Sequence, residues 1–366
     1  MKRILVFCAA ALALVGCCKT QEQPKGITET LLLNDYRPVN VNNIPQTFVE
    51  KAKYPVIDMH SHDYIAAPEE VDAWVEAMDR CGVEQTHIMH CSWIGKPFEE
   101  VMAPYAKYGD RFKFWCSLDY TQMLKDGSAD ECIAYLEKCH EMGAVGVGEM
   151  GDKGQGDLYA RPTEGYGLHI DDPRLKPVWA KCAELKMPIN IHVGEPYWMY
   201  LPQDATNDGL PNGAVWHVDT TAAADCLGYE GLMVTFENAL RENPATIFIA
   251  CHYLNMNQDL PRLGAMLDKY PNMYIDISAR VAEAAQTPRA TREFLIKYQD
   301  RVLFGTDNGM SAQMYQNVFR ILETADEHIY IHDFNYHWPL SAFYLPDTVL
   351  EKIYNKNAKR ILNEYK

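Results

Sequence analysis

Eight short runs rich in Val, Ile and Phe recur along the chain, each followed by a stretch of helical period, and this alternation narrows the choice of fold more than any other feature. The runs are PVIDMH from Pro55, EQTHIMH from Glu84, FKFWCSL from Phe112, AVGVGEM from Ala144, PINIHVG from Pro188, TIFIACH from Thr246, MYIDIS from Met273 and VLFGTD from Val302. Such alternation marks repeated βα units and a parallel sheet. Eight units in succession fit an α/β (β/α)8 TIM barrel. A doubly wound open sheet is the alternative, but no Gly-rich phosphate turn follows the first run.

Helix ends are readable between the runs. Ser128-Ala-Asp-Glu131 reads as a capping box, with Cys132, Leu136 and Cys139 on the buried stripe and Gly143 as the stop. Asp172-Pro173 opens another helix, whose apolar stripe is Leu175, Val178, Trp179, Cys182 and Leu185. Residues 151–172, 194–228 and 309–346 exceed ordinary loops. All follow strands, so all are expected at the C-terminal face of the barrel, where such folds place their active sites.

Ahead of these units stands MKRILVFCAAALALVG, basic at Lys2 and Arg3 and apolar thereafter. It is too short for a comfortable membrane span and reads as a secretion signal. Residues 1–16 are therefore expected to be removed, residues 17–53 to form a tether and N-terminal extension, and residues 54–366 to form one catalytic domain. Leu14-Val15-Gly16-Cys17 resembles the lipobox of bacterial lipoproteins, which implies a lipid on Cys17 and a place in the bacterial cell envelope, with no other membrane contact. An ordinary secretory signal with a nearby cysteine is the alternative.

The net charge of −16 excludes a basic nucleic-acid face. Eight of the eleven cysteines lie beyond Cys18, most inside apolar periodic segments, so buried free thiols are expected in place of disulfides.

Polar residues of metal-binding type stand at the ends of these apolar runs. Side chains alternate along a strand, so Asp58, His60 and His62 are expected on one face, the barrel interior. His-x-His alone is a weak signal. It is strengthened by Glu149, His192, His252 and Asp307 at the ends of four later runs. Imidazoles and carboxylates suit Zn²⁺ first, with Mn²⁺, Fe²⁺ or Co²⁺ possible. Cys251 should alternate away from His252, towards the helices.

Together DMHSH, INIHVG, IACH, LFGTD and the closing NAKRIL resemble the amidohydrolase superfamily, and more closely its amidohydrolase-related branch, which holds aminocarboxymuconate semialdehyde decarboxylase and resorcylate-type decarboxylases alongside hydrolases. The resemblance implies His60, His62, His192 and Asp307 as metal ligands. It places His252 where the family has a second-metal ligand or a catalytic histidine. Glu149 looks like the fourth-strand carboxylate that bridges two metals in related deoxyribonucleases. No fourth-strand lysine of the carboxylated kind is present, although Lys153 lies just beyond, so one metal and two metals both stay open. The implied chemistry is attack by an activated water on an amide, ester or lactone-type bond, with Asp307 moving the proton. A non-oxidative decarboxylase is the alternative, in which His252 would protonate the carbanion. An inactive binding lipoprotein is a third reading.

Arg280 follows the seventh run and would clamp a substrate carboxylate, or else pair with a nearby acid. His90, Trp93 and Trp198 are further candidates for small-molecule contact. Tyr64, Tyr166, His169, Tyr197 and Trp338 also fall in mouth-side loops, where plain packing explains most of them. His328, His332 and His337 fit no helix-face ligand pair.

Overall fold

The structure, a computed structural model, describes residues 26–90, 97–119, 121–153, 157–160, 163–166, 168–212, 217–221, 227–332 and 337–364. The expected signal, Cys17 and Trp93 lie outside these residues. The chain divides into two units, Met1–Arg37 and Pro38–Lys366. In the first, a short helix Ile27–Thr30 and a turn Leu33–Asp35 bury no residue. Among the described residues, no helix is long and apolar enough to cross a membrane.

The second unit contains the strands β1 (Val56–His62), β2 (Val83–Met89), β3 (Phe112–Cys116), β4 (Gly146–Asp152), β5 (Asp157–Ala160), β6 (Thr163–Tyr166), β7 (Ile189–Val193), β8 (Phe248–Ala250), β9 (Met273–Asp276) and β10 (Val302–Leu303). Eight of them pair in parallel in the order β1-β2-β3-β4-β7-β8-β9-β10. The last strand meets the first through backbone bonds: Met59 N–H donates to Phe304 C=O at 2.9 Å, and Asp307 N–H to His60 C=O at 2.9 Å. The chain is a (β/α)8 barrel.

Segment 151–172 is not the plain loop its length suggests. β5 pairs antiparallel with β4 and with β6, so a hairpin extends the fourth strand.

Strand parity divides the core into two layers. Val56, Ile88, Phe114, Ile189, Ile191, Phe248, Ile275, Val302 and Phe304 pack outward against the helices. Ile57, Met59, Trp115, Ile249, Tyr274 and Leu303 form a separate cluster with Ala358 and Ile361 of the helix Asn357–Glu364. Side chains from five strands can meet only inside the ring, so this cluster fills the lower interior. Each such large apolar side chain contributes roughly 1.5–3 kcal/mol on burial.

The helices follow the sequence signals closely. Cys132, Leu136 and Cys139 are buried on the helix Asp130–Glu141, and Gly143 adopts φ +102°. The expected capping box does not form, because the cap position falls on Ala129 and no side chain caps it; Ser128, one residue earlier, accepts only from the Asp130 N–H at 3.2 Å. Asp172 accepts from the Arg174 N–H at 2.9 Å, opening the turn that leads into the helix Lys176–Glu184. Cys81, Cys116, Cys132, Cys139, Cys182 and Cys251 are free and buried.

Two expectations about facing fail. The pairing of β1 slips between Asp58 and Ser61, which interrupts its alternation. Ile57 and Met59 therefore point into the lower interior, and Asp58 turns outward, where it accepts hydrogen bonds from the Thr306 hydroxyl at 2.6 Å and the Thr306 N–H at 3.1 Å. Past this bulge His60 and His62 both reach the upper interior. On β8 alternation from the inward Ile249 places Cys251 inward too, its thiol 2.8 Å from Asn190 Oδ1, and it is His252 that departs from the period.

Candidate metal centre and active site

His192 reaches the upper interior by simple alternation from Asn190 on β7, whereas His252 does so by strain. His252, Tyr253, Leu254 and Asn255 all adopt left-handed backbone, with φ of 60°, 53°, 57° and 49°. Left-handed conformation costs roughly 1–2 kcal/mol per non-glycine residue, so four in succession need compensation. Tyr253 and Leu254 are fully buried. The His252 N–H donates to Asp276 Oδ1 at 2.9 Å, and Asn255 donates its side-chain amide to Gly194 C=O at 3.1 Å. The turn thus inserts into the barrel an imidazole that alternation alone would have sent outward. Asp307 is also left-handed, at φ 51°. Strain of this kind concentrates at functional sites. Beside it, Gly305 lets the last strand approach the first, because a Cβ there would stand 2.9 Å from His60 Cβ.

Glu149 is the hub. Its Oε2 lies 3.3 Å from His62 Nε2 and 3.9 Å from His60 Nε2, and its Oε1 lies 3.0 Å from His192 Nδ1 and 3.3 Å from His252 Nε2. Asp307 stands opposite, with Oδ1 3.1 Å from His62 Nε2 and Oδ2 3.8 Å from His252 Nε2. The Tyr64 hydroxyl donates to Asp307 Oδ1 at 2.9 Å. The structure therefore brings together all six residues expected at the centre. Ligand-type atoms of His60, Glu149, Cys251 and His252 lie within 4.8 Å of one another, as do those of His60, His62 and Asp307.

Outer partners aim the imidazoles. Asp276 Oδ2 is 3.0 Å from His60 Nδ1, the Ser278 carbonyl is 2.9 Å from His252 Nδ1, and the Met89 carbonyl is 3.4 Å from His62 Nδ1. In each case the far nitrogen, Nε2, is left facing Glu149 and Asp307. Glu195 lies 3.4 Å from His192 Nε2.

The electrostatics are those of a site built around positive charge. Burial opposes ionisation of Glu149, yet the His192, His252 and His62 rings beside it hold its carboxyl well below the usual range. Asp307 is likewise held low against its burial, chiefly by His62. Asp276 falls to about 2 despite complete burial, because His60 faces it. Burial works against a charge on His60, but Asp276 and the other acids outweigh it and raise the imidazole to about 9. Burial, with His192 adjacent, lowers His252.

A divalent cation fits this donor set. The Nε2 atom of His60 is buried and has no hydrogen-bond partner, and an orphaned buried polar atom costs about 1–3 kcal/mol. Converging imidazoles and carboxylates are the ligands zinc takes, and a cation would relieve the crowding of acids as well.

The centre opens into a cavity of about 730 Å³ lined by His62, Tyr64, Glu149, Lys153, Arg280 and Asp307 among others. Arg280 shows the acid pairing that is one of its two sequence readings, and it faces the cavity as well. It bonds Asn255 Oδ1 at 3.0 Å and pairs with Glu283 at 3.4 Å. His90 and Trp198 are not among the residues that line this cavity. His90 is buried, 3.1 Å from the Ser117 hydroxyl and against Phe98. Trp198 packs over Gly209 with its indole N–H on Glu283, and the next residue, Met199, lines the cavity instead. His169 pairs with Asp152 at 3.0 Å. His332 bonds the Pro38 carbonyl at 3.2 Å and takes no part in the centre.

Sequence reasoning passed over Asp276, Ser278, Glu195 and the contact of Tyr64 with Asp307. Asp276 carried a readable signal, being an acid inside an otherwise apolar run. The others act through backbone atoms or from loops and carried none.

A family model described as amidohydrolase matches residues 57–363. The chain belongs to this amidohydrolase family. No curated protein matches the sequence. Among solved structures, this amidohydrolase is similar to 2,6-dihydroxybenzoate decarboxylase from Rhizobium, with a TM-score of 0.52, 18% identity and coverage of 85% of this chain and 99% of the other. It is also similar to a probable 2-pyrone-4,6-dicarboxylic acid hydrolase from Acinetobacter baumannii with citric acid bound, with a TM-score of 0.51, 13% identity and coverage of 84% and 99%. For 4-oxalomesaconate hydratase from Rhodopseudomonas palustris the values are 0.50, 14%, 84% and 95%. At these identities the likeness concerns the barrel.

Proposed function

We propose that this amidohydrolase is a metal-dependent hydrolase of a small molecule, with His60, His62 and Asp307 holding a divalent cation on one side of Glu149 and His192 and His252 holding a second on the other. Zinc is the first choice of metal. The observation that carries the reading is the division of Glu149, whose two oxygens each face a different pair of imidazoles. A carboxylate that faced one cation would have no reason to serve both pairs.

Bound cations supply Lewis-acid polarisation and a nucleophile at neutral pH. The protein does the rest. Asp307 Oδ1 accepts from the Tyr64 hydroxyl and faces the ligand nitrogens of His60 and His62, so Oδ2 is the oxygen left to take a proton from the attacking water and return it to the leaving group. Tyr64 keeps that carboxylate from rotating. His252 Nε2 stands 3.8 Å from Asp307 Oδ2, on the side of the second cation. Lys153 and Arg280 also line the cavity, paired there with Glu195 and Glu283.

The same ligand set also suits a second reading, a non-oxidative decarboxylase, because a cation held by it would bind a substrate carboxylate. The solved dihydroxybenzoate decarboxylase shares the barrel. Metal analysis of the purified protein should give two equivalents of a transition metal. A panel of lactones, esters, amides and aromatic acids should show bond hydrolysis with no carbon dioxide released. Absence of stoichiometric metal would overturn both readings, and carbon dioxide release would select the second.

The LVGC motif supports a further proposal, that the mature enzyme is anchored to the cell envelope through Cys17. A Cys17→Ala chain should then move from the membrane fraction to the soluble one, and an unchanged distribution would refute the anchor.

A further inference from the structure

His192 differs from the other three imidazoles of the centre. His60, His62 and His252 each have Nδ1 against an outer acceptor and Nε2 towards Glu149 and Asp307. His192 is turned round. Its Nδ1 faces Glu149 Oε1 at 3.0 Å, and its Nε2 faces outward to Glu195 Oε2 at 3.4 Å. Glu195 is 9% exposed and held on its far side, with Oε1 2.8 Å from Lys153 Nζ and Oε2 3.8 Å from Arg280. Arg280 continues the chain to Glu283 at 3.4 Å.

The geometry points to Glu195 as a positioning residue for the metal centre, one that accepts the Nε2 proton of His192 and so presents the Nδ1 lone pair to a cation beside Glu149. The inference rests on the two-cation reading above and adds a residue to it. An imidazole can offer one nitrogen to a metal only if the proton sits on the other, and the hydrogen bond of the outer nitrogen decides which. The other three rings have that acceptor in Asp276, Ser278 and Met89. Without Glu195, His192 would be the one ring with no outer acceptor, and free to flip. Glu195 sits three residues beyond His192, in the loop after β7, so one segment carries both the ligand and its orienting acid. Lys153 and Arg280, both on the cavity wall, fix the carboxylate that fixes the ring.

The test compares zinc-loaded wild-type protein with Glu195→Ala and Glu195→Gln. Zinc affinity is measured by chelator competition, and histidine ring protonation by NMR of ¹⁵N-histidine-labelled protein. Wild type should retain two zinc ions, with His192 protonated at Nε2 and bound through Nδ1. Glu195→Ala should weaken one of the two zinc ions by about 10- to 100-fold, the usual loss when an outer partner is removed, and leave the other unchanged. Glu195→Gln keeps an acceptor oxygen and should restore most of the affinity and the Nε2–H signal, which a purely structural role for the charge would not do. Equal zinc affinity in all three proteins, or His192 protonated at Nδ1 in the wild type, would overturn the role of Glu195 while leaving the metal reading in place. Wild-type protein that takes up no zinc would overturn both.

Discussion

The lower and upper halves of the barrel interior are made from the same strands and have opposite chemistry. Along β8 and its exit, Ile249 lies below and Cys251 above. Along β9, Tyr274 lies below and Asp276 above, and past β10 Leu303 gives way to Gly305 and Asp307. Two residues along a strand, roughly 7 Å, separate a stopper from a reactive centre. The lower half is shut by Ala358 and Ile361, and the upper half opens into the cavity. The lower half can be dry and well packed because nothing has to enter it. That packing lets the upper half hold four left-handed residues and a crowd of buried acids that would be unstable alone.

The largest expected effect comes from His60→Ala. It removes the imidazole shared by both ligand groups and leaves the Asp276 carboxylate without its main counter-charge. Metal retention and turnover should be lost, while the circular dichroism spectrum of the barrel is kept. Full metal occupancy in this variant would break the division between the halves, since the upper half would then not depend on its own chemistry.

Trp115→Ala tests the other half. Trp115 is fully buried, and its indole N–H donates to His87 Nδ1 at 2.8 Å. The substitution should cost about 3–5 kcal/mol of stability by denaturant titration. The metal bound per folded molecule should not change. Loss of metal without loss of stability would show that the two halves are not separable.

The two halves were unequally legible in the sequence. The lower half and the barrel itself were read from the eight apolar runs, because a strand covered on both faces must be apolar nearly throughout. The six residues at the centre were visible as polar exceptions to those runs. What the pattern could not show was orientation. The bulge in β1 puts Asp58 and His60 on opposite faces and the left-handed turn after β8 brings His252 inward beside Cys251, and both break the period of two on which facing arguments depend. The outer partners were hidden for another reason. Met89 and Ser278 act through carbonyl groups, which every residue has, and Glu195 lies in a loop where acids are common.

The smallest effect is expected at the seam between the layers. Thr306 and Asp58 are both buried but face away from the centre, and they bind the last strand to the first at the height of the ligands. The Thr306 hydroxyl donates to Asp58 Oδ2 at 2.6 Å, while Oδ1 accepts from the backbone N–H groups of Thr306 and His60 at 3.1 and 3.2 Å. Thr306→Val keeps the shape and removes one donor, so a buried carboxylate oxygen loses that bond, at a cost of about 1–3 kcal/mol. Asp58 also holds the His60 backbone, so zinc affinity should fall as well. The fall should be less than the roughly tenfold seen when a direct outer partner is lost, because the His60 ring keeps Asp276. Thr306→Ser should restore both quantities. A stability loss with no change in zinc affinity would make the seam part of the lower half's work alone, and a zinc loss as large as that of an outer partner would make it part of the centre.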